Sequence, residues 1–546
     1  MARERDAQLA ERMSEHEALM WNIEKDPWLN PNGASIMVLD REMDMDHFRR
    51  QMRYGVANTP RLYQRVVPGF ARVSTPAWVP DPEFDLDAHI REIVLPAPGS
   101  MRQLLDLAAR LYGEPLDRTR PLWRFVVVNG LEGGGSAIWA VIHHSVSDGI
   151  GQLRMAELYQ QASRELTPAP EIDLDAVIAD AIAAGDAKES GGNMATNTLG
   201  PIRQSASHVL RRQFGIGRRV AGELAMWPAD PGRIGDRVDR VVSTVRSAAS
   251  TLGPGGEESA PGSPLWSERS RHRRLEWVRL ELPDLKRARE VFGGTVNDVF
   301  LAGLAEAAHR YHVAHDTPIE SVNSSFVLST RSDGKAGGNA FTPVPITLPA
   351  GTMSIRERIR RTCELVEEAK DGAQRSGGMT AMSGIANLLP ISLVTQTARS
   401  AARRIDFSTS NLRGAPFTLF CSGAQVSATI AMGPVAGTGA NLTAMSYDGA
   451  FHIGVFLDPA AITDPEAFRV AIEESFADMF DEATSRADTT PSAKRPAKTQ
   501  RPSTKKTSAK KTTTKKTSAN KTTSRKASAT KKRTTKKASE KTTTAT

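Results

Sequence analysis

His143, His144, Asp148 and Gly149 fall within seven residues, HHSVSDG. A neutral imidazole is a good general base near neutral pH, because its unperturbed pKa is about 6.5. To take a proton from a hydroxyl it needs one ring nitrogen available and the other held. Asp148, four residues after His144 and followed by a glycine, suits a tight loop. It has three roles open to it: pairing with an arginine, steadying the imidazole directly, or capping a helix. The constellation points to proton transfer by His144, with His143 positional. The two cysteines, Cys363 and Cys421, have no metal-ligand spacing, so the expected chemistry uses neither metal nor cofactor.

The flanking residues say what must hold this loop. SAIWAVI, residues 136–142, has the composition of a buried strand. The segment from Gly149 carries Leu153, Met155, Leu158 and Tyr159 at roughly helical spacing. The histidines therefore stand where a strand ends and Asp148 where a helix begins. Rigid strands aim side chains into clefts from such positions.

HHxxxDG is the signature of acyltransferases that share the chloramphenicol acetyltransferase-like fold. Four further segments, in order, make the chain resemble the bacterial wax ester synthase/diacylglycerol acyltransferases. They are PLDRTRPLW (115–123), TVNDVFLA (295–302), STRSDGKAGGN (329–339) and SNLRGAP (410–416). The resemblance covers roughly residues 15–485. It implies an α/β protein of two chloramphenicol acetyltransferase-like halves with a tunnel between them. It also implies acyl transfer from acyl-CoA, a substrate, to a lipid hydroxyl, giving triacylglycerol or wax ester. Asn297, Asp298, Arg331, Asn339, Ser410 and Asn411 become supporting or substrate-binding candidates, beside Gly149. Arg331 is a candidate partner for Asp148. The oxyanion needs a donor, for which Asn297, a backbone N–H and a serine hydroxyl are the candidates. Three segments depart from the family pattern and bear on the acceptor: WLNPNGASIMVLD (28–40), Arg413 within SNLRGAP, and SATIAMGP (427–434).

The chain divides into a first half at 1–170, a helical connector and linker at 171–265, a second half at 266–485, and a tail at 486–546. Asp117, Arg118 and Arg120 suit either phosphate or CoA, or internal pairing with Trp123 in the core. Residues 201–227 form a basic amphipathic stretch, suited to an anionic membrane or to packing on the protein itself. Residues 380–398 are uncharged and apolar around Pro390, so they line an acyl tunnel, touch lipid or form buried helix. Asp464 and Pro465 open a last helix with Phe468, Ile472, Phe476 and Met479 on one stripe.

The net charge of +9 hides a division. Residues 491–546 hold 19 of the 71 Lys and Arg and a single acid, Glu540, a net of +18. The rest keeps 52 basic residues against 61 acidic ones, a net of −9. The tail has no aromatic or large aliphatic residue and is expected to be disordered. Its charge suits non-specific DNA or anionic lipid. The N-terminal 21 residues read as a charged helix and not a signal peptide, and no segment reads as a membrane span. The expected location is cytoplasmic, peripheral to the inner membrane or to lipid inclusions. A second reading keeps the lipid surface but not the chemistry: a weakly active or inactive protein whose tail tethers lipid inclusions to nucleic acid.

Overall fold

The computed structural model describes residues 11–69, 75–190, 262–329, 341–375, 386–387 and 389–489. Arg331, Asn339, the basic stretch 201–227, residues 253–261 of the linker and residues 490–546 of the tail lie outside them.

The first half runs β1 (Glu11–Arg12), α1 (Glu15–Ile23), β2 (Asn32–Leu39), α2 (Met45–Asn58), β3 (Gln64–Val67), β4 (Ala77–Pro80), α3 (Leu86–His89), β5 (Ile90–Val94), α4 (Met101–Tyr112), β6 (Trp123–Asn129), β7 (Ser136–His143) and α5 (Gly149–Ala156). Helix α6 (Leu174–Ser190) follows. Of the charged N-terminal stretch, residues 1–10 lie outside the described residues, and the helix found in the remainder is α1. It starts after Ser14, which closes a reciprocal capping box with Glu17. Strands β6 and β7 pair antiparallel across a turn in which Gly133 and Gly134 take positive φ. Every residue of β7 is buried, as its unbroken apolar run requires of a strand covered on both faces.

The second half runs β8 (Arg274–Glu281), α7 (Leu282–Phe292), α8 (Val296–Ala314), β9 (Ser321–Ser329), β10 (Phe341–Pro349), α9 (Ile355–Arg375), α10 (Ile391–Ala402), β11 (Phe407–Arg413), β12 (Phe420–Cys421), β13 (Ala424–Met432), β14 (Ala440–Tyr447), β15 (Ala450–Leu457) and α11 (Pro465–Thr489). Its sheet has the order β10-β9-β11-β14-β15-β8. Asp464 caps α11 as expected, and Phe468, Ile472, Phe476 and Met479 are buried in the second core. Pro390 starts α10 and does not break it.

The sheet of the first half has the order β12-β13-β2-β7-β6-β5, so two of its strands come from the second half of the chain. Cys421, Ala424, Val426, Ile430 and Met432 accordingly pack into the first core. Strand β13 lies along β2, which in turn lies along β7, the strand that ends at His143. Among the described residues no helix is long and apolar enough to cross a membrane.

Candidate active site

The loop after β7 is tied at both ends. The His143 amide donates to Leu122 O at 3.0 Å, and the Val146 amide returns to His143 O at 2.9 Å. Asp148 is buried and caps α5, accepting from the Gly151 amide at 2.9 Å. A Cβ on Gly151 would collide with Ser147 Oγ, so this turn requires glycine there. The capping role of Asp148 is therefore realised in full. The candidate partner Arg331 lies outside the described residues.

His143 is completely buried. Its Nδ1 accepts from the Ser145 amide at 2.9 Å, with Ser145 Oγ at 2.6 Å. A nitrogen that accepts from a backbone N–H carries no proton, so the proton belongs on Nε2. That atom faces Glu24 Oε2 at 3.5 Å. Arg118 donates to the same oxygen at 2.5 Å and to Trp21 O at 2.9 Å, and its guanidinium lies 3.4 Å over the Trp21 ring. Burial alone would raise the Glu24 carboxyl, but His143 and Arg118 outweigh it and hold it below its ordinary value. PLDRTRPLW thus acts from behind the loop. Arg118 is engaged internally, Trp123 is buried in the core, and Arg120 faces Asp117 at 3.7 Å.

His144 turns the other way, onto a cavity of about 810 Å³ between the two sheets. Burial lowers its pKa to about 4; His143 adds to the shift and Asp148 opposes it. The imidazole is therefore neutral throughout the physiological range. Its Nε2 lies over Gly33 of β2, 3.4 Å from where a Cβ would sit. Leu19, Ile23, Leu153, Val394 and Ile405 supply apolar wall, the first two from α1, the third from α5 and the fourth from α10. The opposite wall is polar: Ser325, Ser408, Ser410, Asn411, Asn441 and Thr443 come from β9, β11 and β14. His16 of α1 is buried nearby, and its interaction with Asp148 opposes a burial that lowers its pKa to about 4.

The structure brings Ser410, Asn411 and Gly149 to this cavity with His144 and Asp148. Asn297 and Asp298 lie elsewhere, in the first turn of α8, and do not line it. Asp298 closes a capping box with Thr295, accepting from its amide and hydroxyl at 2.8 Å each. Asn297 as oxyanion donor therefore has no support from its position. Asn339 is outside the described residues. Glu24, His16, Gly33 and the Asn441–Thr443 pair were not singled out by sequence reasoning, because each meets the site through long-range contacts that no local pattern carries.

A sequence profile described as the wax ester synthase/diacylglycerol acyltransferase catalytic domain matches residues 13–300, more than half of the chain, and one for the C-terminal domain of that family matches residues 337–480. The chain belongs to this acyltransferase family. A Mycobacterium tuberculosis relative, named provisionally as a diacylglycerol O-acyltransferase, is 28% identical over 480 residues, covering 86% of this chain and 92% of its own. The wax ester synthase/diacylglycerol acyltransferase of Marinobacter aquaeolei VT8 superposes with a TM-score of 0.56 at 19% identity, over 87% of this chain and 100% of that one. A starter condensation domain of rhizomide synthetase, solved in complex with C8-CoA, gives 0.51 at 12% identity, over 87% and 95%. These structural likenesses confirm the chloramphenicol acetyltransferase-like fold.

Within this acyltransferase, the two histidines of one dipeptide do different work. His143 faces the Glu24–Arg118 pair and fixes the loop. His144 turns a neutral imidazole toward a cavity whose wall is largely apolar.

Proposed function

We propose that this acyltransferase moves a fatty acyl group from acyl-CoA to the hydroxyl of diacylglycerol or of a long-chain alcohol, making triacylglycerol and wax ester. The observation that carries the reading is the neutral His144 on the wall of a large, mostly apolar cavity. At about 810 Å³ the cavity falls in the upper part of the range of ligand pockets, about 300–1,000 Å³. The C8-CoA complex of the rhizomide condensation domain supports an acyl-CoA donor, since that domain shares the fold.

The acceptor oxygen attacks the thioester carbon as its proton passes to His144. The imidazolium then protonates the departing thiolate. A thiol with a pKa of about 8.5 is a fair leaving group, so little driving force is needed at that step. Asp148 keeps the loop closed through its cap on α5. The enzyme would work at the surface of a membrane or lipid inclusion, where its acceptors are found.

The test uses the purified full chain with palmitoyl-CoA, against a diacylglycerol and a long-chain alcohol in detergent. The expected result is thiol release that depends on acceptor, with the matching ester recovered in the lipid extract. Absence of thiol release with both acceptors would remove the reading and favour the inactive, lipid-surface alternative.

A further inference from the structure

We propose that the side-chain amide of Asn441 is the oxyanion donor of this transfer; the proposal rests on the acyl-CoA reading above. Ala34 of β2 stands opposite Met432 of β13 in an antiparallel pair. Gly33 precedes Ala34 and Gly433 follows Met432 in the chain. Here both Cβ atoms are missing, and both vacated positions are closely covered. Over Gly33 lie the Gln152 amide, with Nε2 2.9 Å from the Cβ position, and His144 Nε2 at 3.4 Å. Over Gly433 lies the Asn441 amide, its Oδ1 nearest and its Nδ2 2.7 Å from that position, with Thr443 Oγ1 also at 2.7 Å. His144 and Asn441 both line the same cavity, each beside a glycine that leaves room for it.

The amide is held from two sides. Thr443 Oγ1 donates to Asn441 Oδ1 at 2.6 Å, and Asn441 Nδ2 donates to Ser408 Oγ at 3.0 Å. An amide nitrogen carries two protons, and this contact uses one. Strands β11 and β14 run parallel with Ser408 beside Asn441 and Ser410 beside Thr443, so the polar wall is built by pairing alone. Asn441 and Thr443 are both buried, which strengthens a hydrogen bond to a developing negative charge.

The step balances as follows. The acceptor oxygen forms a bond to the thioester carbon, and its proton moves to His144. The carbonyl π pair moves onto the carbonyl oxygen, which accepts a hydrogen bond from the second N–H of Asn441 while that proton stays on the amide. The pair then re-forms the carbonyl, the C–S bond breaks, and the thiolate takes the proton from the imidazolium. The products are the ester and free CoA.

The test compares Asn441→Ala, Asn441→Asp, Thr443→Val and Ser410→Ala in the full chain, with palmitoyl-CoA and whichever acceptor the wild type uses. Loss of one oxyanion donor costs about 10²–10³-fold in kcat. That loss is expected for Asn441→Ala with KM for palmitoyl-CoA and Tm near wild type. Thr443→Val should lose less, because it only releases the amide's orientation. Asn441→Asp keeps the shape and carries the test where the alanine variant does not fold. Its carboxylate repels the oxyanion, but its protonated form donates, so its residual activity should climb as pH falls. A role in folding alone would not invert the pH profile in this way. A wild-type kcat in Asn441→Ala or Asn441→Asp would overturn the proposal. So would a loss confined to Ser410→Ala, which would move the donor to β11. Failure of the wild type to release CoA with any acceptor would instead bring down the acyl-CoA reading, and this proposal with it.

Discussion

With His144 as the proposed base, its pKa of about 4 predicts how the transfer depends on pH. Only the neutral ring accepts a proton, so catalysis is present above the folded pKa and is lost as pH falls through it. The acid limb of kcat/KM is expected near pH 4, and a limb near the ordinary histidine value of about 6.5 would show that burial does not govern this ring. The same shift has a stability consequence. His16, His144 and His452 each have a folded pKa lowered to about 4, chiefly by burial. Below pH 6.5 the unfolded chain binds protons that the folded chain refuses, so stability falls progressively from about pH 6.5 down to about 4. Thermal melts across that window check it; a flat Tm would contradict the burial of these rings. His144→Ala is expected to remain folded and to lose about 10²–10⁴-fold in kcat. Turnover within a few-fold of wild type would remove the assignment.

Strand β7, its loop and helix α5 were legible in the sequence because their determinants are local: an apolar run, a glycine-bounded turn, an N-cap. The helix after Asp148 is shorter than its spacing suggested, ending at Ala156. Tyr159 is apolar in pattern because it packs into the first core, edge-on to Phe48 and Phe125, and not because the helix reaches it. The crossing of β13 into the first sheet was not legible, since alternation is the same whichever sheet a strand joins. Nor was the support behind His143, where 94 residues separate Glu24 from Arg118. That support carries a prediction at the scale of the elements it joins. Arg118→Met leaves the Glu24 carboxylate partly buried beside His143 with its guanidinium partner gone. The expected cost is about 1–3 kcal/mol, less than for a fully buried pair because Arg118 is 30% exposed. A drop in Tm together with lower kcat is expected, since the loop carrying His144 rests on this pair. A normal Tm and a normal rate would show that PLDRTRPLW does not act through Arg118.

At the scale of the whole chain the decisive quantity is the division of charge, +18 on residues 491–546 against −9 on the remainder. We propose that this segment, and not the acyltransferase body, governs attraction to polyanions. An acidic body repels DNA and anionic membrane, so net attraction at low salt must come from the segment. None of the family motifs lies in it, and the two family profiles end at residues 300 and 480. Deleting 491–546 should therefore leave kcat and KM on detergent-dispersed substrate unchanged, while abolishing binding to DNA and to anionic vesicles. In the full chain that binding should weaken steeply with salt, because each phosphate neutralised by Lys or Arg releases condensed counterion. It should ignore base sequence, since a low-complexity Lys/Thr/Ser/Ala segment carries its charge to the phosphates and holds no recognition motif that would set side chains against base edges. Vesicle flotation and mobility-shift titrations of both forms at two salt concentrations separate the outcomes. Equal DNA affinity with and without the segment would place the attraction on the body and end the tether reading; a segment-dependent affinity insensitive to salt would end its electrostatic basis.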